Sequence, residues 1–101
     1  MRKSIILCLL AILLLPSEAF AKTAYLSFDD GPSNCTEPIL DILDIYDVKA
    51  TFFVTATKET SHHYLYKEIV NRGHALGLHS YSHNFSSIYR SKGAFYADIE
   101  Q

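Results

Sequence analysis

Ala50-Thr51-Phe52-Phe53-Val54-Thr55 carries no charge and is apolar or β-branched along its whole length. Such a run reads as a strand buried on both sides, as in a parallel sheet covered by helices. Working back from it, Asp47, Val48 and Lys49 lead out of a helix in which Thr36 is a plausible N-cap and Pro38 sits in the first turn. Ile39, Leu40, Leu43 and Tyr46 fall on one face of that helix. Before it, Asp29-Asp30-Gly31-Pro32-Ser33-Asn34 is turn chemistry throughout, and Ala24-Tyr25-Leu26-Ser27-Phe28 alternates as a strand ending at Asp29.

Downstream of the apolar run the cycle repeats. Ser61 can cap a helix whose buried face is Leu65, Ile69 and Val70, and Gly73 stands where a glycine ends a helix. His74-Ala75-Leu76-Gly77-Leu78 reads as a short strand ending at His79, and a polar stretch leads to a third helix from about Ser91. The order β-α-β-α-β-α with short connections implies parallel strands and right-handed crossovers. The expected class is therefore α/β. Three strands with helices on both faces leave two open edges, so either an open doubly wound sheet or a barrel needs more strands than the sequence supplies.

The first residues follow a different logic. Arg2 and Lys3 precede an apolar run from Ile5 to Leu15, which Pro16, Ser17 and Glu18 break, and Ala19-Phe20-Ala21 offers small residues at both positions a signal peptidase reads. This is the layout of a secretory signal peptide, residues 1–21, with cleavage after Ala21. The run falls short of the roughly 20 apolar residues that span a bilayer, so no stable membrane anchor is expected after cleavage. The product is expected to be secreted, or held in the periplasm or cell envelope. Residues 22–101 would then form the domain. Removing Arg2, Lys3 and Glu18 takes the formal charge from −2 to about −3. That balance supplies no basic face for nucleic acid. Cys8 leaves with the leader, and Cys35, alone, can form no internal disulfide.

Two clusters carry chemistry. Asp29 and Asp30 are adjacent carboxylates at a strand end, a costly pairing unless positive charge lies close by. A divalent metal supplies that charge and lets one carboxylate act as ligand and the other as base; an ordinary acidic turn is the plainer alternative. His79-Ser80-Tyr81-Ser82-His83 spaces two imidazoles four residues apart, which on a helical turn would let them share a metal, although two surface histidines fit the spacing as well. Position joins the clusters. The carboxyl ends of parallel strands face one way and form the site, and one Asp with two His leaves a coordination position open, as catalytic zinc requires. His74 falls at the far end of its strand and reads as structural, while His62 and His63 read as solvated. Tyr64, Tyr66, Tyr81 and Tyr89 could stack on sugar but fit packing better.

Tyr25-Leu26-Ser27-Phe28-Asp29-Asp30-Gly31-Pro32, Lys49-Ala50-Thr51-Phe52-Phe53-Val54, and Gly73-His74 followed by His79-Ser80-Tyr81-Ser82-His83 together resemble the opening of the NodB homology domain. This is the polysaccharide deacetylase family, carbohydrate esterase family four, and the resemblance runs from about Ala24 to His83. It implies the first three β/α units of a distorted (β/α) barrel, incomplete as given, and hydrolysis of N-acetyl or O-acetyl groups on peptidoglycan, chitin, xylan or related glycans. Residue by residue, Asp29 corresponds to the family's catalytic base. Asp30, His79 and His83 correspond to its metal ligands, usually for zinc, with cobalt or nickel tolerated. Ser80 matches the hydroxyl residue that steadies the loop between the histidines.

The implied reaction is attack on an acetyl carbonyl by a water that the metal activates and Asp29 deprotonates. The family draws its oxyanion donor and general acid from an Arg-containing loop, an Asp-Trp-type segment and a Leu-x-His segment, none of which occurs before Gln101. The 101-residue chain is therefore expected to have little activity of its own. Two other functions compete: an exported metal- or glycan-binding module without catalysis, and a phosphatase-type hydrolase with Asp29 as nucleophile. The second leaves His79 and His83 without a task.

Overall fold

The computed structural model describes residues 22–56 and 59–101, so the expected signal peptide lies outside the described residues. No described helix is long and apolar enough to cross a membrane. In chain order the elements are β1 (Ser27–Gly31), α1 (Thr36–Ile45), β2 (Thr51–Thr55), a 3-10 turn (Thr60–His62), α2 (Tyr64–Asn71), β3 (Ala75–Ser80), α3 (Phe85–Ile88) and α4 (Lys92–Ile99). The strands form one parallel sheet in the order β1-β2-β3, as the alternation predicts. β1 starts later than expected, although the Leu26 carbonyl still accepts the Thr51 amide and carries the ladder one step further. β3 runs from Ala75 to Ser80, past the expected end at His79.

The core lies on one face of the sheet, where helices on both faces were expected. Phe52 and Val54 from β2 meet Leu40 and Leu43 from α1 and Ile69 from α2 in a single cluster, with Phe28, Ile39 and Tyr66 packed around it. Phe28 stacks on Phe52 at 5.1 Å between ring centroids. Ile99 of α4 lines a depression with Val54, Leu76 and Leu78 on the same side. β2 is accordingly buried on one face only: Phe52 and Val54 are covered, whereas Phe53 is 38% exposed. Phe53 instead lies over Gly77, where a Cβ would come within 2.7 Å of its ring. A sheet with α1, α2 and α4 on its one covered face is built like a barrel wall. Leu40 and Ile69 are fully buried, each contributing roughly 1.5–3 kcal/mol by removal from water.

The helix ends show local chemistry overriding the first reading. Thr36 is not the N-cap of α1; Cys35 is, without a side-chain cap. The Thr36 hydroxyl accepts the Ser33 amide at 2.9 Å and closes the preceding turn instead. Ser61 does not cap α2, which starts after His63, and its hydroxyl donates to Glu59. Val70 and Tyr46, expected on buried faces, are largely exposed, because each lies at the margin of its apolar stripe. Both helices end in the same way. His74 N–H bonds to the Ile69 carbonyl and Gly73 N–H to that of Val70; Val48 N–H bonds to Leu43 and Asp47 N–H to Asp44. These are paired Schellman closures, with Gly73 (φ 81°) and Asp47 (φ 50°) in the left-handed position. The register that follows delivers each chain into the next strand.

His74 is structural, as read. It is buried, and its Nδ1 accepts the Ala50 amide at 3.2 Å, which ties β3 to β2 at their N-terminal ends. Arg72 clamps α1 to α2 through Asp41 at 2.6 Å and Asp44 at 3.2 Å.

Candidate metal centre

The carboxyl ends of all three strands meet at one rim, and two irregularities there aim the side chains. In the β1–β2 ladder Asp29 pairs with Phe53 and Gly31 with Val54, so Asp30 is passed over. In the β2–β3 ladder Val54 pairs with Leu78 and Thr55 with Ser80, so His79 is passed over. An extra residue in a ladder breaks the in–out alternation and redirects its side chain, and such bulges gather beside active sites. Asp30 also takes a left-handed backbone conformation (φ 67°), which Asp tolerates better than most residues.

The result is a convergence of three groups. Oδ1 of Asp30 lies 3.1 Å from Nε2 of His79 and 2.9 Å from Nε2 of His83. The donor atoms of the three residues all fall within 4.8 Å of one another. The imidazoles tilt against each other at 5.3 Å between centroids. Both are one-third exposed, and Asp30 is 62% exposed, so the cluster is open to an incoming molecule on one side.

His79 and His83 do not share a helical turn, as their spacing suggested. His79 belongs to β3, and His83 stands in a left-handed turn (φ 50°) beyond it. The turn is tied by Ser80, whose hydroxyl accepts the His83 amide at 2.7 Å. Asp29, the neighbour of Asp30, is exposed and stays in the ladder, outside the three-residue cluster.

One residue of this region escaped the sequence reading. Asp98 of α4 is buried and accepts three hydrogen bonds: from the Ser80 hydroxyl at 2.8 Å, the Tyr81 amide at 2.9 Å and the Ser82 amide at 3.1 Å. Donation from Ser82, then from the Ser80 hydroxyl and the Tyr81 amide, holds its carboxyl below the usual carboxylate range against the opposing effect of burial. Its partners lie far off in sequence, so no local motif marked it. The short helix α3 was also missed, though Asn84 caps it through the Ser87 amide. α4 begins where expected, with Ser91 capping at the Ala94 amide.

Other candidates take lesser places. His62 is not simply solvated, since its Nε2 lies 2.8 Å from Oδ1 of Asn34. Tyr64 donates to Glu37 and Tyr66 to the Thr55 carbonyl, both structural links. Tyr89 stacks on Phe85, whose ring meets that of His83 edge-on at 4.7 Å.

The sequence profile of the family described as polysaccharide deacetylase matches residues 17–101. The chain belongs to that family. It is 46% identical to YheN of Bacillus subtilis over 70 residues, 69% of this chain and 25% of the relative. It is 41% identical to a peptidoglycan-N-acetylglucosamine deacetylase of Bacillus cereus over 70 residues, 69% of this chain and 26% of the relative. Among solved structures, the catalytic domain of peptidoglycan N-acetylglucosamine deacetylase from Eubacterium rectale superposes with a TM-score of 0.71 at 46% identity, covering 82% of this chain and 40% of that one. The chain thus spans about a quarter of the length of the two relatives. Its three β/α units are part of the deacetylase catalytic fold, the NodB-type barrel.

The three side chains fit a divalent ion. Ligand atoms about 2.0–2.1 Å from a tetrahedral zinc stand about 3.3 Å from one another. The two nitrogen–oxygen separations here are 3.1 and 2.9 Å, and all three donor atoms lie within 4.8 Å of one another, a set that brackets that spacing. Two imidazoles and one carboxylate also form a donor set that zinc, cobalt and nickel accept.

Proposed function

We propose that this chain carries the metal-binding and base-bearing part of a hydrolase site that removes acetyl groups, N-acetyl foremost, from a cell-surface polysaccharide such as peptidoglycan or a chitin-like glycan. The observation that carries the reading is the convergence of Asp30, His79 and His83 at the carboxyl ends of the strands. When bound, a divalent ion (zinc in this reading, with cobalt or nickel as substitutes) supplies a Lewis acid for the acetyl carbonyl and for water. Asp30 and the imidazoles of His79 and His83 would hold it. Asp29, next in the chain to a ligand but outside the cluster, takes the proton of the attacking water on a carboxylate oxygen. Ser80 fixes the turn that presents His83. Export through cleavage after Ala21 would place the protein on the same side of the membrane as such a glycan.

A second reading is an exported module that binds metal or glycan without catalysis. It is favoured by the fact that Asp30, His79 and His83 already converge within the described residues.

A graft separates the two. Residues 24–101 would replace the matching segment of the Eubacterium rectale catalytic domain, with acetate release from peptidoglycan as the readout. Activity that is retained, and then lost in Asp29→Asn and in His79→Ala, supports the deacetylase. A folded, zinc-binding but inactive graft favours the binding module.

A further inference from the structure

Beyond Ser80, the last residue of β3, the turn to His83 has no regular secondary structure, yet both imidazoles must be held to within about half an ångström to share one ion. Ser80 alone cannot do this. Its hydroxyl accepts the His83 amide, but a hydroxyl pivots freely unless its own proton is committed elsewhere. The proton goes to Oδ2 of Asp98. The same carboxylate takes the amides of Tyr81 and Ser82, so every residue between the histidines is tied to one buried group on α4. α4 is itself set in place by the Ser91 cap, and its Ile99 lines the same depression as Leu76 and Leu78 of β3.

We propose that Asp98 is a positioning residue for the metal centre: through Ser80, Tyr81 and Ser82 it fixes the turn that holds His79 and His83 against Asp30. Ionised, a carboxylate is an acceptor only and satisfies all three donors together; the isosteric amide presents N–H groups to some of them and cannot. Asp98 lies outside the three-residue cluster. Its effect is on the spacing of the two imidazoles, as outer partners of metal ligands commonly act. The inference rests on the metal reading above.

The test uses the whole chain, zinc affinity by competition with a chromophoric chelator, the visible spectrum of the cobalt-loaded protein, and far-ultraviolet circular dichroism for folding. Asp98→Asn is expected to fold and to bind zinc on the order of 10- to 100-fold more weakly, with an altered cobalt spectrum. A folded Asp98→Asn with wild-type zinc affinity and an unchanged cobalt spectrum overturns the proposal, even if its melting temperature falls. Should Asp98→Asn not fold, Ser80→Ala decides, because it cuts the bridge while leaving both amide bonds to Asp98. A several-fold loss of zinc affinity supports the inference, and an unchanged affinity overturns it. His83→Ala guards the premise: if it binds zinc as the wild type does, the metal reading fails first and the inference falls with it.

Discussion

Acid should loosen this fold through His74. Its Nδ1 accepts the Ala50 amide, so the proton sits on Nε2, which is buried and has no partner. Burial, and then the charge of Lys49, push its pKa below the ordinary 6.5; Asp44 opposes and Arg72 adds to the shift. In the unfolded chain the imidazole gains a proton as the pH falls through 6.5, whereas the folded chain resists until its lower pKa is reached. The unfolded state therefore binds more protons in that window, and stability is full above pH 6.5 and lost below it. One proton of linkage is worth up to about 1.4 kcal/mol per pH unit. His74→Leu removes the titration but leaves the buried Ala50 amide without an acceptor, at about 1–3 kcal/mol. Urea unfolding with chelator present, at pH 7.5, 6.0 and 5.0, should find the variant less stable at pH 7.5, with the gap to wild type narrowing at acid pH. A gap constant from pH 7.5 to 5.0 would refute the reasoning.

Gly77→Ala should cost about 1–3 kcal/mol, because the new methyl meets the Phe53 ring at 2.7 Å; thermal melts of Gly77→Ala and of Gly77→Ala with Phe53→Ala should show the second change recovering part of the loss. Asp29→Asn should leave zinc affinity within about threefold of wild type while lowering acetate release by the grafted enzyme on the order of 100-fold or more, as loss of a general base does. Expression in a host with a secretory pathway should yield a protein whose mass begins at Lys22; an intact Met1 species in the envelope fraction would contradict the leader.

Much of the fold was legible because its signals are local. The apolar run at Ala50–Thr55 marked a central strand, Gly73 marked a helix end by its tolerance of positive φ, and the parallel strand order put Asp30 and His79 at the same rim of the sheet. What was misread depends on partners that a linear pattern does not show. A threonine before an apolar run looks like a cap, yet the Thr36 hydroxyl is taken by Ser33. The four-residue spacing of His79 and His83 looks helical, yet a bulge and a left-handed residue accomplish the approach. Asp98 has no local signature at all, since the donors it collects belong to a turn that forms only when α4 folds back on β3. The covering of one sheet face alone also follows from the way crossovers stack, which apolar content along β2 does not reveal.

The central claim is that Asp30, His79 and His83 hold one divalent ion. Zinc-edge X-ray absorption on the chain loaded with one equivalent tests it most directly. The account predicts two imidazole nitrogens at about 2.0–2.1 Å with oxygen completing the shell, and loss of one imidazole in His79→Ala. A shell of oxygens alone, a sulfur contributed by Cys35, or a spectrum indifferent to His79→Ala would contradict it.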